Sequence, residues 1–300
     1  DKPCRTLGAW RLILKTPISI SGRFYGATPA IGIDMLRARR SFYFILVICA
    51  GLLVLLMSLR ARLTRPIIFP APNMKLMPQL DRGELIKVAA ERTVFGYYAP
   101  GGKKLIVFFH GNGEVMGSMQ DLANVMQRAG FSVLMAEYPG YGFAAQQEVS
   151  ESNIYHDAAA LLRHMREARG HNAADTVLWG FSLGTGVATE MAAQKLGSRL
   201  ILMAPLTSAG DAAEHHFFAL ARWLVVDQFD NKAKAAKIDM PVLIVHGESD
   251  TVLPASMGKE LAATFPRAQV ISLARADHND LFTYFDAGLW QRLIRFAQGQ

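Results

Sequence analysis

Five consecutive residues, Gly180-Phe181-Ser182-Leu183-Gly184, combine a hydroxyl nucleophile with flanking glycines. They follow the apolar, β-prone run Thr176–Trp179. They precede Thr185, Val187, Ala188, Met191 and Ala192, spaced for one buried helix face. A serine in so sharp a strand-to-helix turn has its Oγ pushed out of the fold. The helix N-terminus then lies beneath any negative charge that forms there. The glycines suit the turn because a side chain would collide with the adjoining strand and helix. Ser182 is therefore a candidate nucleophile for acyl transfer.

A serine hydroxyl is a poor nucleophile at neutral pH. It needs a general base, and an acid to orient that base. In one known chain order of such triads, acid and then histidine follow the serine. Only His215, His216, His246 and His278 lie downstream of Ser182. His246 ends the apolar run Val242–Val245 and reads as a structural turn residue. His215 and His216 are adjacent and would diverge on a helix. His278 sits in the polar run Ala276-Asp277-His278-Asn279-Asp280, after the strand-like Gln269–Leu273, and is the candidate base. Asp250 is the candidate acid, just past the C-terminal end of Val242–Val245, where parallel sheets place their sites. Glu248 ranks second.

The tetrahedral intermediate of acyl transfer needs hydrogen-bond donors, each worth on the order of 3 kcal/mol. The backbone N–H of Leu183 is one candidate. The other falls in His110-Gly111-Asn112-Gly113, after the fully apolar run Leu105–Phe109. Asn112 N–H is preferred, with Gly113 as the alternative. His110, upstream of the serine, reads as a turn organiser. Met116 and Met119 are placed near the border of the site.

These blocks, with Glu137-Tyr138-Pro139-Gly140-Tyr141-Gly142 and Asp277-His278-Asn279-Asp280-Leu281, resemble the α/β-hydrolase superfamily. More narrowly they resemble membrane-anchored serine hydrolases that include protein depalmitoylases and lysophospholipid hydrolases. The similarity spans about residues 66–297. It implies an α/β-hydrolase fold: a mostly parallel central sheet, helices on both faces and a short lid, with one transmembrane helix before it. It implies esterase or thioesterase activity on acylated or lipid-like substrates, with no cofactor. Family members often carry Asn-Ala after His-Gly, whereas this chain has Asn112-Gly113.

The elements around the motifs agree. Helix-like runs at 118–129, 154–168, 183–196 and 254–265 alternate with strand-like runs at 131–136, 176–179, 200–203, 242–245 and 269–273, a βα rhythm that predicts a parallel sheet covered on both faces. Residues 83–98 supply antiparallel opening strands. Residues 205–240 break the rhythm where a lid would be inserted. Within them His215–Val226 is apolar and helical in length, and could line an acyl pocket or pack as an ordinary helix. Ser256-Met257-Gly258-Lys259 matches an S-x-x-K pattern without its companion motifs and reads as coincidence.

The formal charge of +7 over 300 residues is unevenly placed. Residues 1–65 hold eleven Lys/Arg against two Asp/Glu, and residues 66–300 hold 21 against 23. The region with the motifs has no basic excess, which argues against nucleic acid as a partner. Phe42–Leu59 is an 18-residue run without a charge, flanked by Arg37, Arg39 and Arg40 and by Arg60, Arg62 and Arg65. That length can cross a bilayer core, and no small-residue cleavage site follows it. Residues 1–41 read as an N-terminal tail, of which 1–34 fit an upstream extension before Met35. Residues 42–59 read as a single-pass anchor, 60–80 as a linker, and 81–300 as the hydrolase domain. Eight Lys/Arg in residues 1–40 favour N-terminus-inside, with the domain on the non-cytoplasmic side. Cys4 and Cys49 both lie outside the motif region, and no Cys/His cluster has metal-ligand spacing. The sequence thus points to a membrane-anchored serine hydrolase. An amidase or peptidase of the same fold, and a catalytically silent tethered binding protein, are the alternatives.

Overall fold

The computed structural model describes residues 31–300, with side chains from Arg37 onward. The N-terminal extension expected over residues 1–34, and Cys4 with it, falls almost wholly outside the described residues. The described chain divides into two units, one ending at Leu53 and the other running from Val54 to Gln300. The first described element is a long helix, α1 (Ile31–Ile68). Its Arg37–Ile68 portion is long and apolar enough to cross a membrane. From Phe42 to Val54 its large apolar side chains are exposed. The expected linker is helical as far as Ile68, so only the stretch from Phe69 to the first strand is irregular. No glycine interrupts residues 60–68, and Pro66 stands in the last turn, where the helix ends two residues later.

The second unit is built on one eight-stranded sheet: β1 (Glu84–Ala89), β2 (Thr93–Ala99), β3 (Leu105–Phe109), β4 (Ser132–Ala136), β5 (Thr176–Phe181), β6 (Arg199–Met203), β7 (Val242–Gly247) and β8 (Ala268–Leu273). Their spatial order is β1-β2-β4-β3-β5-β6-β7-β8. The pairs β1–β2 and β2–β4 are antiparallel, and all others are parallel. The connecting helices are α2 (Gln120–Arg128), α3 (Glu151–Arg169), α4 (Gly184–Ala193), α5 (Ala209–His216), α6 (Ala221–Leu224), α7 (Asn231–Ala235), α8 (Ala255–Thr264) and α9 (Ala287–Gln298).

Continuous apolar strands follow from this covering. Leu105, Val107 and Phe109 of β3 enter one core layer, and Ile106 and Phe108 enter the other. All five are at most 1% exposed. Each such side chain contributes roughly 1.5–3 kcal/mol on burial, so the centre of the sheet is rigid enough to fix what its strand ends carry. Residues 205–240 fold as three short helices rather than one. The helix expected over His215–Val226 breaks at Phe217–Leu220, with Ala221 and Val225 buried beyond the break. Phe217, Phe218, Leu220 and Trp223 are instead exposed.

Candidate active site

The register aligns the C-terminal ends of the central strands: Phe109 with Gly180, Phe181 with Met203, Met203 with Val245, Gly247 with Leu273. Chain segments leaving β3, β5, β7 and β8 therefore emerge along one edge, which brings residues far apart in sequence into one place.

Ser182 occupies the turn between β5 and α4 with φ of +51°. A non-glycine residue takes this left-handed conformation only when its surroundings enforce it. Here Ser182 N–H donates to Met203 C=O at 2.9 Å, and Ser182 C=O accepts from Thr185 N–H at 3.0 Å and Thr185 Oγ1 at 2.6 Å. The flanking glycines are steric necessities. A Cβ on Gly180 would lie 2.3 Å from the Gly184 carbonyl oxygen, and one on Gly184 would lie 2.1 Å from that of Phe109.

His278 lies in the loop after β8, with its imidazole stacked on the Phe181 ring at a centroid distance of 5.2 Å. Its Nε2 is 2.9 Å from Ser182 Oγ, and its Nδ1 is 2.8 Å from Asp250 Oδ2. An ionised carboxylate only accepts, so Nδ1 carries the proton and Nε2 is left to accept from the serine hydroxyl. The loop is braced by its own acids. Asp277 Oδ1 accepts from Thr251 N–H and His278 N–H, and Asp280 Oδ1 accepts from Asp277 N–H. Asp277 and Asp280 shape the backbone around the imidazole and make no bond to its ring.

Asp250 is buried, and its oxygens accept three hydrogen bonds. Oδ1 takes Val252 N–H at 2.9 Å and Leu253 N–H at 2.6 Å. Oδ2 takes His278 Nδ1–H, and the His246 Nε2, which bonds Leu253 C=O at 2.9 Å, lies 3.2 Å from the same oxygen. Burial alone would raise the pKa of this carboxyl. The bonds from His246, His278 and Leu253 outweigh burial and hold it well below the usual aspartate range. Glu248, the second-ranked acid, instead points to the surface and pairs with Lys259 at 2.7 Å. That pairing also takes Lys259 of the S-x-x-K pattern away from the cleft.

The two candidate oxyanion donors face the same cleft. Ser182, Leu183 and Asn112 all line it, and neither Leu183 N–H nor Asn112 N–H meets an acceptor among the described residues. Behind them, Tyr138 OH donates to His110 C=O at 2.9 Å, and Tyr141 OH donates to Asn112 Oδ1 at 2.8 Å. Burial raises the pKa of both phenols, so both remain donors at physiological pH. His110 is buried and stacked on Tyr138, an organising role. Met116 and Met119 lie in the core layer and do not border the cleft; their short helical turn packs inward under Leu76 and α2.

The cleft has a volume of about 240 Å³ and is mainly apolar. Its far walls are Leu206, Ala209, Ala212, Ala213, His216 and Phe217 from the 205–240 segment, Val252 and Leu253, and Ile67 and Ile68. Sequence reading did not find His246, His216 or the two isoleucines at the site. His246 was legible in principle, since it stands four residues before Asp250. The isoleucines carried no local signal, because their place in the cleft depends on where the end of α1 docks. The constellation as a whole can take a proton from Ser182 Oγ, hold the resulting imidazolium and bind an oxyanion beside an apolar group.

Comparison with known proteins places the scaffold. A family model described as serine aminopeptidase, S33, matches residues 101–233, and the alpha/beta hydrolase fold model matches residues 208–284. The chain is 31% identical to alpha/beta hydrolase domain-containing protein 17B of Xenopus tropicalis, over 69% of this chain and 70% of that one. It is 29% identical to alpha/beta hydrolase domain-containing protein 17C of the same organism, over 73% and 71%. The structure is similar to that of the Pyrococcus furiosus esterase Pf2001, with a TM-score of 0.64 at 14% identity, covering 76% of this chain and 98% of the esterase. Sheet order, elbow serine and these likenesses agree: the chain belongs to the α/β-hydrolase superfamily.

Proposed function

We propose that the protein is a membrane-anchored serine hydrolase that cleaves carboxylic ester or thioester bonds of acylated, lipid-like substrates. The observation that carries this reading is the continuous relay from Ser182 Oγ through His278 to Asp250, at 2.9 and 2.8 Å. Ser182 Oγ attacks the acyl carbonyl while His278 Nε2 takes its proton. Asp250 holds the tautomer and stabilises the imidazolium. Leu183 and Asn112 N–H groups bind the oxyanion. His278 then protonates the leaving alkoxide or thiolate, which departs as alcohol or thiol and leaves acyl-Ser182. Water, deprotonated by the same imidazole, releases the carboxylic acid and restores Ser182.

The substrate class rests on the apolar cleft and its surroundings. Phe217 lines the cleft, and Phe218, Leu220 and Trp223 stand exposed next to it in sequence. Arg60, the first residue past the apolar run of α1, reaches the Trp223 carbonyl at 3.4 Å. A cleft rimmed in this way beside an anchor suits acyl chains presented at a bilayer surface.

The test is a fluorophosphonate probe, which labels only an activated serine, together with turnover of p-nitrophenyl esters. Wild type should be labelled, and Ser182→Ala should lose labelling and about 10⁴-fold or more in kcat. Activity retained within about tenfold would remove Ser182 from the role of nucleophile. The serine aminopeptidase description of the first family model supports a second reading, an amidase. Faster turnover of an anilide than of the matching ester would favour it.

A further inference from the structure

The end of α1 forms part of the cleft wall. Ile67 and Ile68 line it with Ser182 and Leu183, and Ile68 C=O accepts a hydrogen bond from Asn112 Nδ2 at 2.5 Å. Tyr141 OH holds Oδ1 of the same amide. The Asn112 side chain is thus held at both ends, once by the domain and once by the helix. Its backbone N–H, free of any acceptor among the described residues, is the one assigned to the oxyanion.

The position of Ile68 is itself fixed by two contacts. Arg65 Nε lies 2.8 Å from Asp227 Oδ2, with Nη2 3.4 Å from Oδ1, and its Nη1 lies 2.9 Å from Glu148. The Asp227 side chain is 4% exposed, and its Oδ1 also accepts Glu151 N–H at the start of α3. The second contact is Phe69, buried edge-on against Phe229 at 6.0 Å. Phe229 in turn lies so close to α4 that a Cβ on Gly186 would meet it at 2.7 Å.

We propose that Arg65 is a positioning residue. Its pair with buried Asp227 sets the end of α1, Ile68 then holds the Asn112 amide, and the Asn112 N–H is thereby aimed at the oxyanion. The helix that anchors the protein is on this account also a component of its active site. The inference rests on the serine-hydrolase reading above.

Breaking a pair that leaves Asp227 buried and uncompensated lowers stability whatever else it does, so stability alone is no test. The full chain in detergent micelles, with p-nitrophenyl acetate as substrate, separates the two roles. Arg65→Met should lower kcat roughly 10- to 100-fold, because a small misplacement of a donor has that effect. KM should stay within about twofold, since the donor acts on the transition state. Arg65→Lys, which keeps the charge on Asp227, should recover most of kcat. Arg62→Met, at a position with no ion pair among the described residues, should match wild type. A folded Arg65→Met with unchanged kcat, a loss confined to KM, or a Lys variant no better than Met would overturn the proposal. If Arg65→Met does not fold, Asn112→Leu decides: it is neutral, similar in size and unable to bond Ile68, and an unchanged kcat there is equally fatal. Activity that depends on Ser182 but not on Arg65 or Asn112 would remove this inference and leave the proposed function standing.

Discussion

Asp250→Asn is the sharpest probe of the relay, because the surroundings of Asp250 dictate which way the new amide must face. Oδ1 accepts two backbone N–H groups, Val252 and Leu253, at 2.9 and 2.6 Å. An NH₂ group there would oppose two donors, so the asparagine carbonyl takes the Oδ1 place and the NH₂ takes that of Oδ2. It then faces His278 Nδ1 and His246 Nε2. His278 can accept from the NH₂ only by moving its proton to Nε2. In that tautomer Nε2–H donates to Ser182 Oγ and no longer accepts from it, so the general base is lost. His246 cannot relieve the conflict freely, since its Nε2–H is also bound to Leu253 C=O at 2.9 Å. A wrong-tautomer substitution of this kind lowers kcat about 10⁴-fold, or about 5 kcal/mol of transition-state stabilisation. Steady-state hydrolysis of p-nitrophenyl esters and the rate of fluorophosphonate labelling should fall together, with circular dichroism unchanged. Glu248→Gln is the matched control. It breaks one exposed ion pair with Lys259 and should stay within about twofold. An Asp250→Asn enzyme within tenfold of wild type would refute the relay argument, and a larger loss at Glu248 would move the acid there.

Two further outcomes follow from the same geometry. The Asp250 carboxyl has a folded-state pKa held below its ordinary value of 3.8, so its contribution to stability is fully present above that value and is lost as pH falls through the lower folded value. The gap in thermal midpoint between wild type and Asp250→Asn should therefore be flat from about pH 5 to 8 and shrink only below about pH 4; a gap that changes between pH 5 and 8 would show that another group sets it. Trp223 is 66% exposed, so Trp223→Asp should leave the fold intact. It should lower kcat/KM for dodecanoyl esters in vesicles far more than for acetyl esters in solution, since a carboxylate resists transfer into an apolar surface. Equal losses at all chain lengths, or a wild-type preference for acetyl, would defeat the lipid-facing role.

Local chemistry made much of this protein legible in one dimension. A serine between glycines, after a β-prone run and before a helix face, signals its own turn: the Ser182 φ of +51° and the clash of a Gly180 Cβ with the Gly184 carbonyl lie within that short segment, while Gly184 is confined by the Phe109 carbonyl of β3 and Ser182 N–H is held by Met203 C=O of β6. The βα rhythm announced the parallel sheet, since strands covered on both faces must be apolar throughout. The order of Ser182, Asp250 and His278 made them candidates, as each follows a strand-like run. What the sequence could not decide depends on contacts across long separations. Whether Asp250 or Glu248 faces His278 turned on which carboxylate the loop after β7 points inward, where three donors await one and Lys259 the other. The apolar 215–226 stretch looked like one helix, yet breaks at 217–220, where its large apolar side chains stay exposed. The segment after the long apolar run looked like a linker, yet Arg65 meets Asp227, 162 positions away, and Ile68 meets Asn112, 44 away. Hydrophobic periodicity reports that a face will be buried but not against what, so only the docked chain reveals that α1 ends in the cleft.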